Sequence, residues 1–152
     1  MKINLNRDTT ANVDADFFDK ICEISGLYGI SESRIFKDLI KLTVKNNCRI
    51  RVFGILTEYQ NHSPLLWKKL NYSLNPEEIE DFTIIRQKYK ISISKFAFIG
   101  FLLFLDLLIF IYKERLKKPF NQKILNSYFE IQKKYTKLSN EFRIRLDIIQ
   151  KE

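Results

Sequence analysis

Two short stretches gather hydroxyls and a cation at what reads as a helix start: "YGISESRIFKDLI" (28–40) and "YKISISKFAFIGF" (89–101). Each runs Tyr, one residue, Ile-Ser, one residue, Ser, a basic residue, then an apolar run. A serine here accepts a hydrogen bond from a free N–H of the first turn and so caps the helix. The two copies share one offset, since 92 − 31 = 61 and the same interval separates Ser33 from Ser94 and Arg34 from Lys95. This is binding chemistry, made of donors, acceptors and charge. The sequence holds no Gly-rich phosphate loop and no Ser/His/Asp set, so a catalyst is not expected. Cys22 and Cys48 are too few and too far apart for a disulfide framework or a metal knuckle, and His62 has no ligand-like neighbours. Both cysteines read as ordinary reduced residues, and neither a metal nor a cofactor is expected.

The elements that must position these groups repeat as well. "NPEEIEDFTIIRQKYK" (75–90) offers Asn75 as cap, Pro76 at the first helical position and acids in the first turn. Ile79, Phe82, Ile85 and Tyr89 then recur at spacings of three and four, which is one helical face. "DADFFDKICEISGLYG" (14–29) offers Asp14 as cap, with Phe18, Ile21, Ile24 and Tyr28 on the corresponding face. Ahead of each cap lies an alternating segment. "KKLNYSL" (68–74) turns Leu70, Tyr72 and Leu74 inward and Lys69, Asn71 and Ser73 outward, the period of a half-buried strand. In "RDTTANV" (7–13) Thr9, Ala11 and Val13 face inward and Asp8, Thr10 and Asn12 outward, although Asp, Ala and Asn are poor strand formers. Each unit thus reads strand, helix, turn, helix. A lone strand cannot satisfy its own edges, so the two copies are expected to supply each other's partner.

The chain has 152 residues, enough for one domain or two very small ones sharing a core, and its 45% hydrophobic content excludes disorder. Its formal charge of +8 favours an anionic partner such as nucleic acid or a lipid surface. The excess is uneven: residues 1–47 carry seven basic and seven acidic side chains, 48–112 eight and six, and 113–152 eleven and five. The start "MKINLNRDTT" lacks the apolar stretch of a signal peptide, so a cytoplasmic product is expected.

The alternating "LNYSL" and "TTANV" strands, the caps Asn75 and Asp14, and the turns "GISESR" and "KISISK" together resemble the ribbon-helix-helix superfamily of Arc, MetJ and CopG-like proteins. The resemblance covers about 7–47 and 68–112. It implies a mainly α fold with a two-stranded antiparallel ribbon, in which two tandem units form an intramolecular pseudo-dimer and a C-terminal helix follows. The expected divisions are unit one at 7–47, a connector at 48–67, unit two at 68–118 and a basic helical extension at 119–152. It further implies sequence-specific binding of double-stranded DNA by a cytoplasmic transcriptional regulator, with the ribbon in the major groove. Lys, Asn, Thr and Ser can bond base edges, which makes Thr10, Asn12, Lys69, Asn71 and Ser73 the base-reading candidates. In the family the second helix aims its N-terminus at a phosphate, which assigns Ser31, Ser33 and Arg34, with Ser92, Ser94 and Lys95, to phosphate clamps. Asp8 departs from the basic or neutral residue expected to face DNA.

Three segments lie outside this pattern. "FAFIGFLLFLDLLIFIY" (96–112) is apolar on every face except at Asp106. It is short for a membrane span and its central Asp is costly there, so it is expected to serve as core or interface. "CRIRVFGILTEYQNHSPLLW" (48–67) reads as partly β, with the second helix of unit one running through Asn47 as the other possibility. After Pro119, Ile124, Tyr128, Ile131, Tyr135, Leu138 and Phe142 form a coiled-coil-like stripe on a helix of about 122–140, and "EFRIRLDII" (141–149) continues it or forms a strand. That stripe is expected to pack back on the domain. Two other functions stay open. One is an antitoxin-like or plasmid-maintenance module that grips a partner protein with its C-terminal helix, and 96–112 and 124–142 are the segments open to a protein partner or a second copy. The other is a membrane-attached protein anchored by 96–112.

Overall fold

The computed structural model describes residues 6–46, 67–119 and 121–137. The expected helix continuation through Asn47, the alternation within 48–66 and the reading of 141–149 lie outside these residues, as do Cys48 and His62.

Among the described residues two strands and five helices follow in the order β1 (Arg7–Asp14), α1 (Ala15–Tyr28), α2 (Glu32–Lys45), β2 (Trp67–Leu74), α3 (Pro76–Tyr89), α4 (Ile93–Leu116) and α5 (Gln122–Lys137). The protein is mainly helical with a two-stranded antiparallel sheet, as expected. In that sheet β1 pairs with β2 so that Thr10 faces Asn71, Ala11 faces Leu70 and Asn12 faces Lys69. The pair Thr10–Asn71 is itself 61 residues apart, so the sheet is centred on the interval that separates the serine motifs.

Alternation decides which side of the sheet is wet. Ala11, Val13, Leu70, Tyr72 and Leu74 are buried, while Thr10, Asn12, Lys69 and Asn71 are exposed. Trp67 belongs to β2, one residue earlier than expected, because Asp14 of β1 extends far enough to pair with it.

Local signals start and stop the helices in parallel. The Asp14 side chain accepts from the N–H groups of Asp16 and Phe17, and Asn75 accepts from Glu78 N–H while the Glu78 carboxylate accepts from Asn75 N–H. The first helix of each half ends on a left-handed residue, Gly29 (φ 67°) and Lys90 (φ 55°). Glycine enters that region freely, whereas a lysine is strained there. Phe17, at the third position of α1, is the fully buried aromatic, and Phe18, expected inward, is half-buried. On α3 Phe82 and Ile85 are buried, with Ile79 and Tyr89 half-buried at the edges of the face.

The core forms where α2 crosses α4 beneath the sheet. A Cβ on Gly100 would fall 2.2 Å from Thr43 Oγ1 and 3.0 Å from the Leu39 carbonyl, so the missing side chain is what lets the backbones approach. Leu39 and Gly100 are again 61 residues apart. The α4 helix is longer than its apolar stretch and is the one described helix long and apolar enough to cross a membrane; 61% of its most apolar window is buried inside the fold. Its inward residues include Phe98, Phe101 and Leu105, packed against α1, α2 and α5. The α5 helix lies against α1 and α4, with Tyr128 buried and Ile131 half-buried. This is the packed arrangement of the expected stripe, as far as the described residues reach.

Candidate nucleic-acid interface

The outer face of the sheet carries four of the five base-reading candidates together. Thr10 lies opposite Asn71 and Asn12 opposite Lys69, all exposed and all ending in hydrogen-bonding groups. Ser73 stands opposite Asp8 and is half-buried. Its backbone is engaged on both sides: Ser73 N–H donates to Ser33 Oγ at 3.3 Å, and its carbonyl accepts from Lys37 Nζ at 2.8 Å.

Helix starts flank this face at both ends. Ser31 caps α2 with its Oγ accepting from Arg34 N–H at 3.2 Å, and Ser92 caps α4 by accepting from Lys95 N–H at the same distance. Their backbone angles also agree, with φ −63° and ψ 149° at Ser31 and φ −70° and ψ 155° at Ser92. Both serines are exposed. Each leaves other first-turn N–H groups available to an outside acceptor, at the end of a helix where the dipole favours negative charge.

The second serine of each motif has a different duty from the one expected. Ser33 accepts from Ser73 N–H on β2, and Ser94 Oγ donates to the Asn12 carbonyl on β1. Each hydroxyl therefore ties its helix start to the strand contributed by the other half. Asn12 and Ser73 are themselves 61 residues apart, so the two ties correspond. Ser33 and Ser94 position the helix ends rather than simply adding outward donors.

The surroundings of the two ends differ. Arg34 is 62% exposed in its side chain and lies 3.8 Å from the half-buried Asp38, which also accepts from Tyr112 O–H at 2.6 Å. At the other end a surface cavity of about 690 Å³ is lined by Thr83, Arg86, Gln87, Lys90, Ser92 and Lys95. Arg86 also borders a neighbouring hollow of about 700 Å³ with Thr10, Asn12, Ser94 and Lys95. The places corresponding to Arg86 and Lys90 in the first half hold Ser25 and Gly29, and the cation there comes instead from beyond α4, with Lys118 Nζ donating to the Leu27 carbonyl at 3.5 Å. Sequence reasoning passed over Arg86. Its only signal was its position one turn before the end of α3, which acquires meaning once α4 folds back beside it.

Cys22 Sγ donates to Glu32 Oε1 at 3.5 Å, and burial followed by the neighbouring carboxylate pushes its thiol up to about 11, away from the reactive thiolate. Among the described residues no group of three or more His, Cys, Asp or Glu is placed to hold a metal.

The chain matches no family model, no curated protein and no solved structure.

Proposed function

We propose that the chain is a tandem ribbon-helix-helix protein whose halves form an intramolecular pseudo-dimer, and that it binds double-stranded DNA in a sequence-specific way as a cytoplasmic transcriptional regulator. The observation that carries this reading is the exposed row of Thr10, Asn12, Lys69 and Asn71, bracketed by two serine-capped helix starts in matching geometry. A two-stranded ribbon fits a major groove, and these side chains carry the donors and acceptors that read base edges there. The helix starts are suited to phosphates on either side, so they would fix the register while the ribbon reads the bases. Arg34 belongs to one clamp; Lys95 and Arg86 belong to the other. Affinity on this account comes mainly from phosphate neutralisation and falls steeply with salt.

The test is selection of the purified protein against a randomised duplex pool at low and moderate salt, followed by sequencing of the retained DNA. Enrichment of a short motif, weakened at one base step by Asn71→Ala, is the expected result. Retention without enrichment would reduce the surface to a nonspecific basic one, and no retention at low salt would sink the reading. A separate protein contact is favoured by one observation: Leu107 and Phe110 of α4 are 38% and 51% exposed, an apolar strip away from the ribbon that suits a second copy or a partner protein.

A further inference from the structure

The ribbon carries opposite charges at corresponding places. Lys69 lies opposite Asn12 at one end, and Asp8 lies opposite Ser73 at the other. Lys69 and Asp8 are 61 residues apart, so they occupy equivalent positions on either side of the central Thr10–Asn71 pair. Both are exposed on the outer face. Resting on the reading of this face as a major-groove reader, we infer that Asp8 is a base-specifying residue that selects cytosine, and that the DNA recognised carries guanines in direct rather than inverted arrangement.

The argument is one of donors and acceptors. A lysine ammonium offers only donors and suits the O6 and N7 acceptors of guanine; a carboxylate offers only acceptors and suits the exocyclic amine of cytosine. In a symmetric dimer with lysine at both places, each lysine would take a guanine on opposite strands, giving an inverted repeat. Here the second place is Asp8. It takes a cytosine on the complementary strand, which puts a guanine on the same strand that Lys69 reads. Four residues of strand separate the two places, roughly 13 Å at about 3.3 Å per residue, which matches about four base-pair steps of about 3.4 Å. The recognised core is therefore G-N-N-N-G on one strand, where a symmetric ribbon would take G-N-N-N-C. The carboxylate that looks like a defect in a DNA-facing surface becomes the source of the asymmetry.

The test compares wild type, Asp8→Asn and Asp8→Lys in the same randomised-duplex selection, with circular dichroism to confirm that the exposed substitutions leave the helical content unchanged. Wild type is expected to enrich the direct arrangement with on the order of tenfold preference at the Asp8-facing pair. Asp8→Asn should lose that preference alone, and Asp8→Lys should turn the pair over to the inverted arrangement. A motif from wild type that is unchanged in Asp8→Asn, with all duplexes merely bound more tightly, would overturn the inference while leaving the ribbon as reader. No motif from any of the three proteins would overturn both.

Discussion

Two seams of the molecule occupy corresponding places and are built from opposite chemistry. At the α2–α3 seam Glu78 is buried, with Lys37 Nζ at 3.1 Å from one carboxylate oxygen and Lys41 Nζ at 3.0 Å from the other. Sixty-one residues away in each case, the α1–α4 seam has Phe17 in place of Glu78, Phe98 in place of Lys37 and Leu102 in place of Lys41. There Phe17 stacks on Phe101 at 4.7 Å and meets Phe98 at 5.9 Å between ring centroids. A charged seam orients its helices through directional bonds but gains little net stability, because both partners must leave water. An aromatic seam gains from area removed from water. The apolar seam can also be overlaid. Tyr128 of α5 packs on Phe101 at 5.5 Å and donates its O–H to the Leu102 carbonyl at 2.7 Å, so the C-terminal helix settles on that side. The comparison teaches that one backbone plan tolerates either seam, and that the choice decides where a further helix can pack.

The largest expected effect tests this contrast directly. Phe17→Ala should lower stability by about 4 kcal/mol in urea titration, since it empties a fully buried aromatic site. Glu78→Ala should cost about 2 kcal/mol, less than a fully buried pair would, because Lys41 is more than half exposed and can turn to water. Equal losses would erase the distinction between the seams. Next comes the helix crossing shared by both halves. Gly100→Ala gains helix propensity but forces a methyl against Thr43 Oγ1 and the Leu39 carbonyl, for a net loss of about 1–2 kcal/mol in the same titration. Thr43→Ala in the same chain should recover part of that loss.

Acid should weaken the charged seam alone. Burial raises the Glu78 carboxyl, but the Asn75 N–H and the two lysines outweigh it and hold the group below its ordinary glutamate value. A carboxylate depressed in the folded state stabilises fully above its unfolded pKa, and the contribution disappears as pH falls through the folded value. Between pH 6 and pH 3 wild type should therefore lose more stability than Glu78→Gln, by a fraction of the Glu78→Ala loss; parallel curves would show that the carboxylate contributes nothing through its charge. The smallest effect concerns the left-handed caps. Lys90→Gly should raise stability by about 0.5–1 kcal/mol, matching the cap that Gly29 already provides, as read from the melting temperature.

Much of this was legible in sequence because it is local. The caps Asp14, Asn75, Ser31 and Ser92 act within three residues, and strand alternation sorts Thr10, Asn12, Lys69 and Asn71 from the core without knowledge of the partner. What stayed hidden depends on approach between distant segments. Phe18 fits the helical spacing as well as Phe17 does, and only the placement of α1 against α4 selects Phe17. Lys37 and Glu78 are 41 residues apart, so no local spacing announces their contact before α2 and α3 meet. Ser33 and Ser94 look like outward hydroxyls until each strand end arrives to receive them.

The proposed DNA-facing surface is tested most directly by lysine acetylation of the folded protein with and without a duplex, read by mass spectrometry. Lys69 is exposed on the ribbon and Lys95 stands beside the Ser92-capped start of α4, whereas Lys133 lies exposed on α5. Duplex should suppress acetylation of Lys69 and Lys95 several-fold and leave Lys133 as reactive as in the free protein. Protection of Lys133 with Lys69 unchanged would contradict the account, placing nucleic acid on the helical side and leaving the ribbon without the role proposed for it.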